Sequence, residues 1–184
     1  MTAEGIEVLV SRLDVPAGRG EALLSCEERE RAARLRSQRD RRRFIAARAR
    51  LRELLGRRLD IPAAALEIRR GPRGRPQLAG SDWRFSVSHS EDVAIYAFAR
   101  GREVGVDVEA VRPMPEASAI AGHALADAEG FFRWWTRKEA LFKALGCPES
   151  LLLEEIDADS FPGWHVVNFQ PLPGFVAALA CEAP

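Results

Sequence analysis

The sequence has little lysine: of its 27 basic residues only Lys138 and Lys143 are lysine, and they lie five positions apart. A compact ammonium and a forked guanidinium do different chemistry, so two lysines kept close together in an arginine-biased chain draw notice. Cysteine is equally sparse. Cys26, Cys147 and Cys181 form no C-x-x-C pair, which argues against a disulfide framework and fits a reducing compartment. The three histidines, His89, His123 and His165, have no metal-ligand spacing, so a zinc site is not expected. No run approaches the roughly 20 apolar residues of a membrane span. The start, MTAEGIEVLV, lacks the basic residues and long apolar stretch of a secretory signal. A cytoplasmic protein without a membrane partner is the expectation.

What is present is a globular composition. The 184 residues are 47% hydrophobic and 29% charged, enough to bury one larger core or two small ones. The net charge of +0 hides an asymmetry. Residues 29–75 hold 17 arginines against 5 acids, the first 28 residues hold 2 arginines against 6 acids, and residues 76–184 hold 8 basic residues against 16 acids. Such a basic block suggests an anionic partner, whether nucleic acid, a phosphorylated cofactor or an acidic protein; the plainer alternative is an arginine-rich solvated helix. A nucleic-acid-binding module is disfavoured. Phe44 is the one aromatic in the block, which leaves no stacking platform, and the acidic motifs further on would have no purpose.

Pattern and punctuation predict the elements. Ile6–Leu13 alternates loosely as a strand. Ser25 followed by Glu28 is a capping box, opening a helix to about residue 36. A second helix is expected from about Asp40 to Leu59, with Phe44, Ala47, Leu51, Leu54 and Leu55 at helical spacing. The glycines and prolines of Gly71–Pro76 mark a loop. Strands follow at Trp83–Ser90, Val93–Ala99 and Arg102–Glu109, a helix at about 127–145, and two strands around His165–Phe169 and Phe175–Cys181. This order predicts an α+β fold with mostly antiparallel sheet.

Four constellations carry chemistry. In Gly105-Val106-Asp107-Val108-Glu109, strand alternation turns Val106 and Val108 into a core and sets Asp107 and Glu109 side by side on the other face. Paired carboxylates repel unless a cation lies between them, and oxygen ligands of this kind suit Mg²⁺; a solvated edge strand is the alternative. In Trp135-Thr136-Arg137-Lys138-Glu139-Ala140-Leu141-Phe142-Lys143, spacing by four puts Trp135, Glu139 and Lys143 on one helix face, either as a site or as an ordinary Glu–Lys surface pair. Phe85-Ser86-Val87-Ser88-His89-Ser90 runs into a polar cluster able to bind phosphate oxygens or simply to turn the chain; with no G-x-S-x-G elbow a Ser-His hydrolase is disfavoured. In Gly74-Arg75-Pro76, Arg75 is placed to grip phosphate as a fork.

In order, these segments resemble the successive signatures of the phosphopantetheinyl transferase superfamily of the surfactin-synthetase-activating type: G-[KR]-P, F-[NS]-[IV]-S-H-[ST], [IV]-G-[IV]-D-[IV]-E and W-x-x-K-E-A-x-x-K. The last form looks like the branch linked to fatty-acid, polyketide or glycolipid synthesis, and Ser25–Arg43 is similar to the family's basic helical region. The resemblance implies a pseudo-dimer of two similar α+β halves, divided here as residues 1–92 and 93–184, with coenzyme A between them. It implies Mg²⁺, or Mn²⁺, at Asp107, Glu109 and Glu139. Glu139 and Lys143 would be catalytic. Arg31, Arg43, Arg75, Ser88, His89 and Lys143 would contact coenzyme A. The implied reaction moves 4′-phosphopantetheine onto a serine of an apo acyl or peptidyl carrier protein and releases 3′,5′-ADP, the enzyme acting as a monomer. A catalytically silent relative is disfavoured because the three acids and Lys143 are all present. The acidic carrier is expected to dock on the arginine-rich helices, with Arg48 and Arg52 among its contacts.

Overall fold

The computed structural model describes residues 2–3, 5–14, 20–71, 76–78, 80–122, 125, 127–146, 153 and 156–183. Their elements are β1 (Thr2–Ala3), β2 (Ile6–Arg12), α1 (Gly20–Leu23), α2 (Cys26–Arg34), α3 (Gln38–Leu59), a 3₁₀ turn (Ala63–Ala65), β3 (Ile68–Arg70), β4 (Pro76–Leu78), β5 (Trp83–Ser90), β6 (Val93–Arg100), β7 (Val104–Ala110), α4 (Ala117–Ala121), α5 (Ala128–Ala144), β8 (Trp164–Phe169) and β9 (Phe175–Glu182). The fold is α+β, and every strand pair among the described residues is antiparallel. One sheet has the order β1-β2-β6-β5, another β7-β9-β8, and β3 pairs with β4. Of the expected loop Gly71–Pro76, Pro76 opens β4 and residues 72–75 lie outside the described residues. The expected division between residues 92 and 93 falls in the β5–β6 turn, so β6 lies in the same sheet as β2 and β5.

Local chemistry accounts for the helix starts. The Ser25 hydroxyl accepts from the Glu28 N–H while the Glu28 carboxylate accepts from the Ser25 N–H, closing the expected capping box on α2. Ser37 caps α3 through the Asp40 N–H, and Asp127 caps α5 through the Gly130 N–H.

Alternation along β6 explains the layering. Ala94, Tyr96 and Phe98 face α3 and pack with its Ala47, Leu51, Leu54 and Leu55. Val93, Ile95, Ala97 and Ala99 face the other way and meet Val104, Val106 and Val108 of β7 and Ala177 and Leu179 of β9. The far side of that second sheet carries Ala178 and Ala180, which pack against Ala140, Leu141 and Ala144 of α5. The layers therefore run α3, first sheet, second sheet, α5. Burying each large apolar side chain contributes roughly 1.5–3 kcal/mol, against about 0–1 for an exposed ion pair, so the apolar stripes set this order.

Small residues bring β7 and α5 into close contact. A Cβ on Gly105 would lie 2.0 Å from the Ala140 carbonyl oxygen and 2.6 Å from the Ala144 nitrogen. Both are backbone atoms, so no side chain can swing aside. Gly105→Ala is therefore expected to push α5 off β7, destabilise the protein by about 1–3 kcal/mol, and lower activity roughly 10²-fold through misplacement of about an ångström. Thermal melting together with a rate measurement checks this; wild-type values for both would show that the contact is not tight.

Part of the basic block finds its partners within the protein. Glu7 pairs with Arg58, Asp14 with Arg43, Glu21 with Arg41, and Glu28 with both Arg48 and Arg52. The acidic start of the chain thus neutralises much of α3. Arg52 is 1% exposed; it donates to Glu28 at 2.6 Å and to the carbonyls of Ala63 and Leu66 at 3.0 and 3.1 Å. This corrects the expectation that Arg52 meets a docking protein: its guanidinium ties α2, α3 and the following turn together. Arg48 reinforces the same carboxylate. Phe44, expected in the apolar stripe of α3, is half-buried, with the Arg31 guanidinium 5.4 Å above its ring. None of the described helices is long and apolar enough to cross a membrane.

Candidate active site

The site forms where the free edge of β7 meets β5 on one side and α5 on the other. Even-numbered residues of β5 share a face, so Ser86, Ser88 and Ser90 all turn toward β7. Ser86 accepts from the Val106 N–H at 3.1 Å and Ser90 from the Ala110 N–H at 3.1 Å. These hydroxyls satisfy donors that an unpaired strand edge would leave open. The serine cluster, which by itself reads as a turn, is a seam between two sheets.

Ser88 reaches the chemistry directly. It donates to Asp107 Oδ1 at 2.7 Å and accepts from Lys143 Nζ at 3.1 Å, while Lys143 Nζ donates to the same Asp107 Oδ1 at 2.6 Å. Lys143 comes from α5, and only the bare Gly105 lets the helix approach closely enough for this contact. Asp107 is 4% exposed, and its second oxygen, Oδ2, is buried with no hydrogen-bond partner. Glu109, half-buried, accepts through Oε2 from Ser90 at 2.9 Å and from Arg112 at 3.0 Å.

Glu139 lies one turn before Lys143 on α5 and is half-buried. Its pKa is raised above the ordinary carboxylate value, first by burial and then by the negative charges of Asp107 and Glu109, with Lys143 opposing. The structure thus brings Asp107, Glu109, Glu139 and Lys143 into one electrostatic neighbourhood. Among the described residues, though, no three acidic, His or Cys side chains converge as a ready-made metal-binding group. Trp135, at the start of the same stripe, stacks 6.1 Å from Phe131 in an aromatic cluster with Phe132 and Trp134.

His89 points to the other face of β5 and is exposed. Protein atoms around the ring still desolvate it, and this, with the nearby cations Lys143, Arg31 and Arg43, holds its pKa below the ordinary imidazole value. Arg43 is engaged inside the protein: Nε and Nη2 donate to Asp14 at 2.9 and 3.0 Å, and Nη1 donates to Glu91 at 3.1 Å. Glu91 sits in the left-handed turn between β5 and β6, with φ of 50°, so Arg43 fastens the turn that follows His89. Arg75 lies outside the described residues. Ser90 and the carboxylates of Asp14 and Glu91 were not singled out from the sequence. The even spacing of the three serines was the signal available for Ser90; nothing local marks the other two.

The chain matches known proteins along most of its length. Residues 20–100 match the family described as 4'-phosphopantetheinyl transferase, N-terminal. A putative 4'-phosphopantetheinyl transferase of Synechocystis sp. is 32% identical over 170 residues, covering 83% of this chain and 68% of that protein. HetI of Nostoc sp., a 4'-phosphopantetheinyl transferase, is 33% identical over 187 residues, covering 86% and 78%. The human L-aminoadipate-semialdehyde dehydrogenase-phosphopantetheinyl transferase is 26% identical over 162 residues, covering 74% and 52%. Fold and matches together define an α+β enzyme of the transferase class. More particularly, the chain belongs to the 4'-phosphopantetheinyl transferase family.

Proposed function

We propose that this protein moves the 4′-phosphopantetheine arm of coenzyme A onto a serine hydroxyl of an apo carrier protein and releases 3′,5′-ADP. The observation that carries the proposal is the meeting of Asp107, Glu109, Glu139 and Lys143 between β7 and α5, through the close approach that Gly105 permits.

The reaction forms a bond from the carrier serine oxygen to the β-phosphorus and breaks the pyrophosphate bridge. The attacking hydroxyl must lose a proton, and Glu139 is the base: its raised pKa brings it closer to the pH at which it works. Lys143, held by Asp107 and Ser88, presents an ammonium to the pyrophosphate oxygens and to the departing nucleotide. The reaction needs little covalent help from the protein, which accords with a site made of charges and hydroxyls.

A divalent cation, Mg²⁺ or Mn²⁺, fits these residues. The unpartnered, buried Oδ2 of Asp107 is the kind of oxygen that a hard cation satisfies, and Glu109 and Glu139 are the carboxylates that would complete its shell once drawn toward it. When bound, such an ion would offset charge on the pyrophosphate. Arg31, His89, Ser88 and Arg75 are assigned to the nucleotide end of coenzyme A, and Arg43 supports them through the turn at Glu91.

On this reading the two sheets are the cores of two similar halves, the first backed by α3 and the second by α5, and coenzyme A lies along the serine seam between them. An acidic carrier and a monomeric enzyme complete the proposal. The test is intact-protein mass spectrometry of an apo acyl or peptidyl carrier incubated with the protein, coenzyme A and Mg²⁺. A mass gain of one phosphopantetheine, lost with EDTA, is expected. No gain on either carrier, with no coenzyme A binding, would overturn the assignment.

A further inference from the structure

We propose that Ser90 is a positioning residue whose hydroxyl holds Glu109 beside Asp107 for cation binding. The inference rests on the reaction proposed above but is drawn from a separate set of contacts.

A serine hydroxyl has one proton to give. The Ala110 N–H donates to Ser90 Oγ at 3.1 Å and so occupies a lone pair, and the proton then points to Glu109 Oε2 at 2.9 Å. Ser90 lies on β5 and Glu109 on β7, so this bond crosses the seam between the two sheets, and each end is anchored on a strand of its own sheet. The other donor to Oε2 is Arg112, whose side chain is 52% exposed, against 23% for Glu109. An exposed arginine holds its partner weakly, because solvent screening and side-chain entropy offset the attraction. Without the Ser90 hydroxyl, this exposed contact alone is left to set the position of the Glu109 carboxylate. Ser88 orients Asp107 in the same manner one step earlier on β5, so alternate serines of one strand orient alternate acids of the other. Ser88 also contacts Lys143, whereas no hydrogen bond joins Ser90 to Lys143, which makes Ser90 the cleaner position to test.

The experiment compares wild type, Ser90→Ala and Ser90→Thr. Mn²⁺ affinity of the free enzyme is measured by electron paramagnetic resonance, kcat and the KM for coenzyme A by carrier mass gain, and folding by thermal melting. Ser90→Ala is expected to weaken Mn²⁺ binding and lower kcat about 10-fold or more, the scale at which groups behind metal ligands act, with KM unchanged and the melting temperature lowered by roughly a few degrees as the Ala110 N–H loses its acceptor. Ser90→Thr keeps the hydroxyl and should restore both. Wild-type Mn²⁺ affinity in Ser90→Ala, equal impairment in Ser90→Thr, or no Mn²⁺ binding by the wild type would each overturn the role. A wild type that binds Mn²⁺ in a Ser90-dependent way yet modifies no carrier would overturn the transfer reaction alone.

Discussion

Glu139→Gln is expected to lower the rate of phosphopantetheine transfer by roughly 10²–10⁴-fold, the range that a positioned general base supplies. The amide keeps the size of the carboxylate but takes up no proton. Folding should not suffer. Burial and the neighbouring Asp107 and Glu109 already disfavour the charged form at this position, and a neutral amide escapes that penalty. Coenzyme A binding, assigned to Arg31, Arg75, Ser88 and His89, should be retained. The measurement is the initial rate of carrier mass gain, followed as Mg²⁺ is raised. A rate that stays low at saturating Mg²⁺ supports proton transfer by Glu139. Recovery to the wild-type rate would mean that its part is to hold the ion, and a wild-type rate throughout would remove it from the mechanism.

Arg52→Ala is expected to destabilise the protein by about 3–5 kcal/mol, because it removes the fully buried partner of the Glu28 carboxylate and leaves that carboxylate to Arg48 alone. Against a typical total of about 5–15 kcal/mol this is a large fraction. It corresponds to a fall in melting temperature of roughly 10–15 °C for a chain of this size. The carbonyls of Ala63 and Leu66 also lose their donor. Arg48→Ala should do much less, since its side chain is 21% exposed against 1% for Arg52. Equal effects of the two substitutions would show that the pair is not the anchor.

Acid should act on the same carboxylate. Burial pushes the Glu28 pKa up, but Arg48, the Ser25 N–H and Arg52 together bring it below its ordinary value of 4.5. A carboxylate with a depressed folded pKa contributes stability that is present above pH 4.5 and is lost as pH falls through the folded value. Stability measured by denaturant between pH 5 and pH 3 should therefore drop in the wild type. It should drop less in Glu28→Gln, which starts lower.

These substitutions also mark the limit of sequence reading. The helix of the Glu139 motif was expected at about 127–145 and is observed at Ala128–Ala144, because its cap and its apolar period are local properties. The pairing of Asp107 with Glu109 on one face follows from strand alternation alone. Arg52, by contrast, sits in a run of arginines that looks uniformly exposed. Its partner Glu28 lies 24 residues away in sequence, and no periodicity links them. The hairpin of Ile68–Arg70 with Pro76–Leu78 was hidden for another reason: the glycines and prolines between the strands dominate the local signal.

The sequence by itself determined the α+β class, the order of the main strands and helices, the capping box at Ser25, and the faces that carry Asp107, Glu109, Glu139 and Lys143. All of these depend on neighbours within a turn or a pleat. Only the tertiary structure decided that two sheets stack between α3 and α5, that Gly105 is bare because the α5 backbone occupies the space of a side chain, and that serine hydroxyls join β5 to β7. It also decided which arginines of α3 are structural. Burying a charge costs several kcal/mol unless a partner is brought to it, and the partners of Arg43 and Arg52 come from segments that only folding brings close.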